Sequence, residues 1–242
     1  QSATLTWSKD GTHLIGHNSG CGIGMRSRIA QLSTATGVSP LVTWSANNAS
    51  MRHIHIFHGV ADATSKICLT VSGERNYFYG CHFGGIGHAT MDVADAMDLN
   101  LTGDENTFER CVIGIDTIGR SGAGDAQYGV KVAGARNVFR DCTFLCLAEA
   151  DTYSFIYTAA SGVDRFVLFD NCLFVNAVKS TGTTIAQALD FTGTGGSPAG
   201  MCILKNCTVV GATDWATGGN TDVFIDGGTR TANTSGLAVN VT

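Results

Sequence analysis

The chain has 242 residues and a formal net charge of −5, with 15 Lys and Arg against 20 Asp and Glu. No basic run occurs, which argues against a nucleic-acid partner. Charged residues make up only 14%, Gly reaches 31 and Pro only 2, a mixture that suits short strands and tight turns and leaves no apolar membrane span.

The chain therefore reads as all-β. Leu5 and Trp7 already alternate like a strand, and residues 4–16 and 42–45 are predicted to supply strands of the first turns. Next comes Arg52-His53-Ile54-His55-Ile56-Phe57-His58. A continuous strand there places His53 and His55 on one face, a pair that can bind zinc. No third ligand lies nearby in sequence, so a surface or core histidine pair is the expected reading. Residues 57–64 parallel 83–90 without a gap, which sets His55 opposite Cys81. The apolar residues are Ile54 and Ile56, however, and a slip of one residue would reverse every face. Both registers stay open at this stage.

From here the chain repeats itself. Leu69-Thr70-Val71-Ser72-Gly73-Glu74-Arg75-Asn76 returns as Leu99-Asn100-Leu101-Thr102-Gly103-Asp104-Glu105-Asn106 and as Val130-Lys131-Val132-Ala133-Gly134-Ala135-Arg136-Asn137. Each copy is a half-buried strand closed by a glycine turn. Asn76, Asn106 and Asn137 are predicted to stack, each amide bonding the turns above and below.

A cysteine phrase follows: Phe78-Tyr79-Gly80-Cys81, Phe108-Glu109-Arg110-Cys111, Phe139-Arg140-Asp141-Cys142, Phe169-Asp170-Asn171-Cys172 and Leu204-Lys205-Asn206-Cys207. The cysteines Cys81, Cys111, Cys142, Cys172 and Cys207 lie 30, 31, 30 and 35 residues apart. A fixed period in that range marks a stacked-repeat architecture, where each unit buries its apolar face only against its neighbours. Counting from the cysteine, the inward residues are at −3 (Phe78, Phe108, Phe139, Phe169, Leu204), at 0 and at +2 (Phe83, Ile113, Phe144, Phe174, Val209). Strict alternation would require −2, so the chain must turn a corner at −1. Gly80, Asp141, Asn171 and Asn206 tolerate the positive φ this implies, and Arg110 is the exception.

The total of nine cysteines is odd, no Cys-x-x-Cys occurs, and the nearest pair is Cys142 and Cys146. A repeating column of buried free thiols is expected rather than zinc or disulfides, and it suits folding in a reducing cytoplasm. Neither a cofactor nor a resident metal is expected. Asp92, Asp95 and Asp98, on an insertion between repeats, form an acidic cluster whose spacing matches no calcium loop.

Outward at −2 the series runs Tyr79, Glu109, Arg140, Asp170, Lys205; at −6 it runs Arg75, Glu105, Arg136. Both alternate in sign, as parallel turns about 4.8 Å apart require if like charges are to be avoided. A structural charge ladder through Glu109, Arg140, Asp170 and Lys205 accounts for these residues without catalysis. If the chain were a hydrolase or lyase, Glu109, Asp141 and Asp170 would be the catalytic candidates. A glycine-rich insert at 193–200 lengthens one turn, and residues 212–242 are expected to finish and cap a solenoid that occupies 1–211.

Three strands per turn of about 30 residues, together with the Asn-x-Phe-x-x-Cys-x-Phe phrases, resemble the pectin-lyase-like proteins. The resemblance implies a single-stranded right-handed parallel β-helix of six or more turns. This fold carries lyases, hydrolases, tailspikes and inert virion parts alike. Residues 8–31 and the Gly59-Val60-Ala61-Asp62-Ala63-Thr64 phrase further resemble β-helix proteins encoded among phage structural genes. That resemblance implies a non-enzymatic virion component on the particle surface: a capsid decoration, or a spike or fibre module. Its partners would be other capsid or tail proteins, a cell-surface glycan, and two further copies in a homotrimer. The alternative is a carbohydrate-active enzyme, a polysaccharide lyase or a depolymerising tailspike, on the same fold.

Overall fold

The computed structural model describes residues 1–17, 27–121, 126–150, 152–158, 163–178, 182–191, 200–216, 223–226 and 228–229. Its strands form three long sheets of seven, nine and seven strands, and successive strands of each sheet come from successive turns of the chain. One turn shows the plan. Ile67–Val71 lies in the first sheet, Tyr77–Tyr79 in the second and His82–Gly84 in the third. The next turn lays Met97–Leu101, Thr107–Glu109 and Val112–Gly114 directly on top, all parallel and in register. The chain is a parallel β-helix.

The turn from the first sheet to the second explains two recurring letters of the repeat by contact rather than by flexibility. A Cβ on Gly103 would stand 2.0 Å from the carbonyl oxygen of Gly73, and one on Gly134 2.0 Å from that of Gly103. Only glycine lets the turns approach so closely. Beside it the asparagines stack inside the solenoid. Asn106 Oδ1 accepts from both the backbone N–H and Nδ2 of Asn76, each at 3.0 Å, and Asn106 Nδ2 donates to Gly73 O at 3.0 Å. Asn137 repeats the pattern one turn higher, accepting from Asn106 N at 2.9 Å and donating to Gly103 O at 3.0 Å.

The second corner lies at the residue before each cysteine. Gly80, Arg110, Asp141, Asn171 and Asn206 all take positive φ, between 51° and 58°. Arg110, unexpected from its residue type, adopts φ 52° because the stack imposes one corner geometry on every turn. Past the corner, Cys81, Cys111, Cys142, Cys172 and Cys207 are buried and free. Each thiol does more than fill space. The Sγ atoms donate to the carbonyls of Met51, Phe78, Phe108, Phe139 and Phe169, one turn below, at 3.4, 3.5, 3.4, 3.5 and 3.4 Å.

Phe78, Phe108, Phe139 and Phe169 fill the axis, their rings stacked with centroids 4.6, 4.7 and 5.0 Å apart. The first-turn register is settled by pairing of His55 with His82 and Ile56 with Phe83. Ile54, not His55, therefore sits beneath Cys81, and the gap-free alignment of residues 57–64 with 83–90 is out by one. At the other end Val223–Ile225 adds a strand to the second sheet and pairs antiparallel with Gly228–Thr229. Trp215 closes the axis edge-on to Phe174 at 5.4 Å. Most of the 193–200 insert, and 217–222 and 230–242 with Leu237 and Val239, lie outside the described residues.

Candidate functional site

Carboxylates that could do chemistry face outward from the second sheet and its corner, and each is held by a neighbour. Asp170 lies between Lys205 Nζ at 3.2 Å and Arg140 Nε at 3.6 Å. Glu109 accepts from the Tyr77 hydroxyl at 3.0 Å, and burial together with that bond pushes the phenol up to about 12. Asp141 turns along the corner to accept from Asn171 Nδ2 at 2.6 Å. Glu105 is clamped from both sides, by Arg75 Nε at 2.6 Å and Arg136 Nη2 at 2.8 Å, and those guanidinium bonds hold its carboxyl below the usual range. The arrangement is a set of cross-turn ladders. It joins Glu109, Asp141 and Asp170 to separate partners and turns none of them toward a common point.

The histidine pair does not form. His53 occupies the corner at φ 54°, so Ser50–Arg52 and His55–Phe57 belong to different sheets and His53 shares no face with His55. His53 packs edge-on to Tyr79, whereas His55 stacks on His82 at 4.2 Å and its Nδ1 accepts from Arg28 Nε at 3.2 Å. Among the described residues no three His, Cys, Asp or Glu side chains are placed to hold a metal ion.

The acidic cluster also separates. Asp92 accepts from Ser121 N and Oγ at 2.7 and 2.8 Å and from Gln127 Nε2. Asp95 sits in a turn at φ 60°. Asp98 lies in a first-sheet strand, wholly buried, accepting from Gly85 N at 2.7 Å. Burial raises its carboxyl to about 7, against the opposing pull of Arg120 and the Gly85 N–H.

Arg120 was not singled out by the sequence. It is only 2% exposed and donates from Nη1 to Ile86 O at 3.0 Å, while its own backbone pairs with Leu147 and Glu149 on the turn above. Burial also pushes up the neighbouring thiols Cys68 and Cys146 and the Tyr153 phenol. A signal for this interior polar group did exist. Aligning Leu69 with Leu99 puts Asp98 on the position of Cys68, an interior column, rather than in a surface loop.

No protein-family profile matches the chain, and no curated protein sequence matches it. Among solved structures it is similar to a pectin methylesterase from Aspergillus niger, at 14% identity and a TM-score of 0.50, over 89% of this chain and 79% of that one. A protein described as Geobacillus virus E2 ORF18 superposes at 10% identity and a TM-score of 0.42, over 87% of this chain and 52% of that one. The esterase shares the β-helix fold, and at this identity the likeness is one of fold alone.

Proposed function

We propose that the chain is a non-enzymatic structural component of a phage virion, a capsid decoration or a spike or fibre module, that supplies rigidity and surface presentation. One observation carries the reading. The outward carboxylates that would be the catalytic candidates are taken up by cross-turn partners, Asp170 by Arg140 and Lys205, Glu109 by the Tyr77 hydroxyl and Asp141 by Asn171. A glycosidase needs one carboxyl protonated and one ionised across the scissile bond, and cations on both sides of a carboxylate oppose the protonated form. Support also comes from the thiols. A buried column of free cysteines suits assembly in a reducing cytoplasm followed by release on lysis, and suits a secreted enzyme poorly.

The test has two arms. Immunogold labelling of purified particles should mark a shell or a tail. In parallel, the chain is incubated with a panel of bacterial surface polysaccharides while viscosity and reducing ends are followed. Depolymerisation that is lost in Glu109→Gln, Asp141→Asn or Asp170→Asn would establish the carbohydrate-active alternative and remove the scaffold reading.

A further inference from the structure

The outer face of the second sheet carries two vertical columns whose order has a symmetry of its own. On either side of the buried axis residues, alternation turns one column outward as Thr107, Val138, Leu168, Ile203 and the other as Glu109, Arg140, Asp170, Lys205. Val138, Leu168 and Ile203 remain partly exposed, and Met201 beside them is 41% exposed. The first column is therefore an apolar stripe. The second reads minus, plus, minus, plus.

An alternating column with an even number of charges is complementary to its own reverse. We propose that this face is a homodimer interface, in which a second copy packs face to face about a twofold axis parallel to the strands. That operation reverses the order of the turns but keeps the strand direction. Stripe then meets stripe and charge column meets charge column. With the axis between the Arg140 and Asp170 turns, Arg140 faces the partner's Asp170, Glu109 faces the partner's Lys205, and Val138 faces the partner's Leu168. One step further out, Tyr77 faces the partner's Phe224, because the registers place Tyr77 below Thr107 and Phe224 above Ile203.

The other twofold fails on the same columns. An axis along the solenoid keeps the heights and reverses the strands, so the two columns cannot both meet their own kind. Centred between them it lays the stripe on the charged column, and centred on the stripe it leaves the two charged columns on opposite sides. Charge arrangements of this kind act on partner choice and register, since like-charge juxtaposition is strongly disfavoured. An isologous contact closes at two copies, which distinguishes it from the side-by-side trimer that the phage resemblance implies. The proposal does not depend on a virion role.

The experiment is sedimentation equilibrium on the chain, followed by zero-length carbodiimide cross-linking and peptide mass spectrometry. Glu109 and Lys205 of one chain are three turns apart, roughly 14 Å, beyond reach of a zero-length link. A Glu109–Lys205 cross-link in a species of twice the chain mass must therefore join two copies in the reversed arrangement. Arg140→Asp places like charges together at two symmetric points and should weaken association about tenfold or more. The double exchange Arg140→Asp with Asp170→Arg restores opposite charges across the axis and should recover the dimer, although it worsens the ladder within each chain. Circular dichroism of each variant checks that the fold survives. A monomer at all concentrations, a trimer, or a dimer lacking the Glu109–Lys205 link would each overturn the proposal.

Discussion

Asp98→Asn gives the sharpest test of the interior. The carboxyl stands at about 7 in the folded chain, raised from 3.8 by complete burial. For an acid whose folded value is raised, the folded state holds the proton longer than the unfolded one, so stability falls as pH rises from 3.8 toward 7 and is level above it. The full shift of about 3 units corresponds to roughly 4 kcal/mol at about 1.36 kcal/mol per unit. Between pH 5 and pH 8 the share still to be lost is about 2–3 kcal/mol. His58, lowered to about 4 by burial, and His82, lowered by the same cause, slope in the opposite direction, but both are present in wild type and variant. Subtracting one pH–stability curve from the other removes them. The attraction of Arg120 for the ionised carboxylate is already contained in the Asp98 shift and needs no separate correction. Urea unfolding followed by tryptophan fluorescence at several pH values should thus show the variant gaining on wild type by about 2–3 kcal/mol from pH 5 to 8. Parallel curves would mean that Asp98 is ionised throughout, and the account of a buried, proton-retaining carboxyl would fall.

The remaining predictions concern the stacks. Asn106→Ala orphans Asn76 N and Nδ2 and Gly73 O at once, and should cost about 3 kcal/mol or more in chemical unfolding. Cys142→Ala should cost about 1–2 kcal/mol, and Cys142→Ser should do no worse than Cys142→Val, because the hydroxyl keeps a donor for Phe108 O. A clear advantage for Val in melting temperature would reduce the thiols to space-fillers. Asn206→Val at φ 51° should cost about 1–2 kcal/mol while Asn206→Gly stays close to wild type, since a β-branched side chain resists the left-handed region.

Much of the architecture was legible because the repeat is a contact map in itself. Five cysteines at nearly constant spacing place Phe108 above Phe78 and Arg140 above Glu109, and the register pairs those same residues. Alternation also predicted the corner, because −3, 0 and +2 cannot all face inward on a straight strand. What periodicity does not carry is position within the first turns, where the cysteine is replaced by Ile54. There the letters His53 and His55 suggested a shared face, and only the pairing of His55 with His82 put the corner between them. Arg110 departs from its residue preference for a related reason. Residue preference at φ above zero is worth about 1–2 kcal/mol, less than a whole stack gains by turning every corner alike.

The interior polar group is hard to read from the sequence because charge in a sequence pattern is a sign of surface. In a solenoid that rule weakens at the wide turn between the third sheet and the first, where the loops fold back over the strand starts. Asp98 is covered from Gly85, and Arg120 reaches inward to the carbonyls of Gly85 and Ile86. A buried guanidinium that ties one loop to the turn below, with its backbone tied to the turn above, does for the irregular side of the solenoid what the asparagine stack does for the regular side. Both give polar groups to the backbone that the β-ladder leaves unmet. The difference lies in repetition. Asparagine can serve every turn because it is neutral, whereas an Arg and an Asp together can serve only one, since a stack of buried like charges 5 Å apart would repel. The buried Arg120 and Asp98 occur once, and a feature that occurs once leaves no period in the sequence.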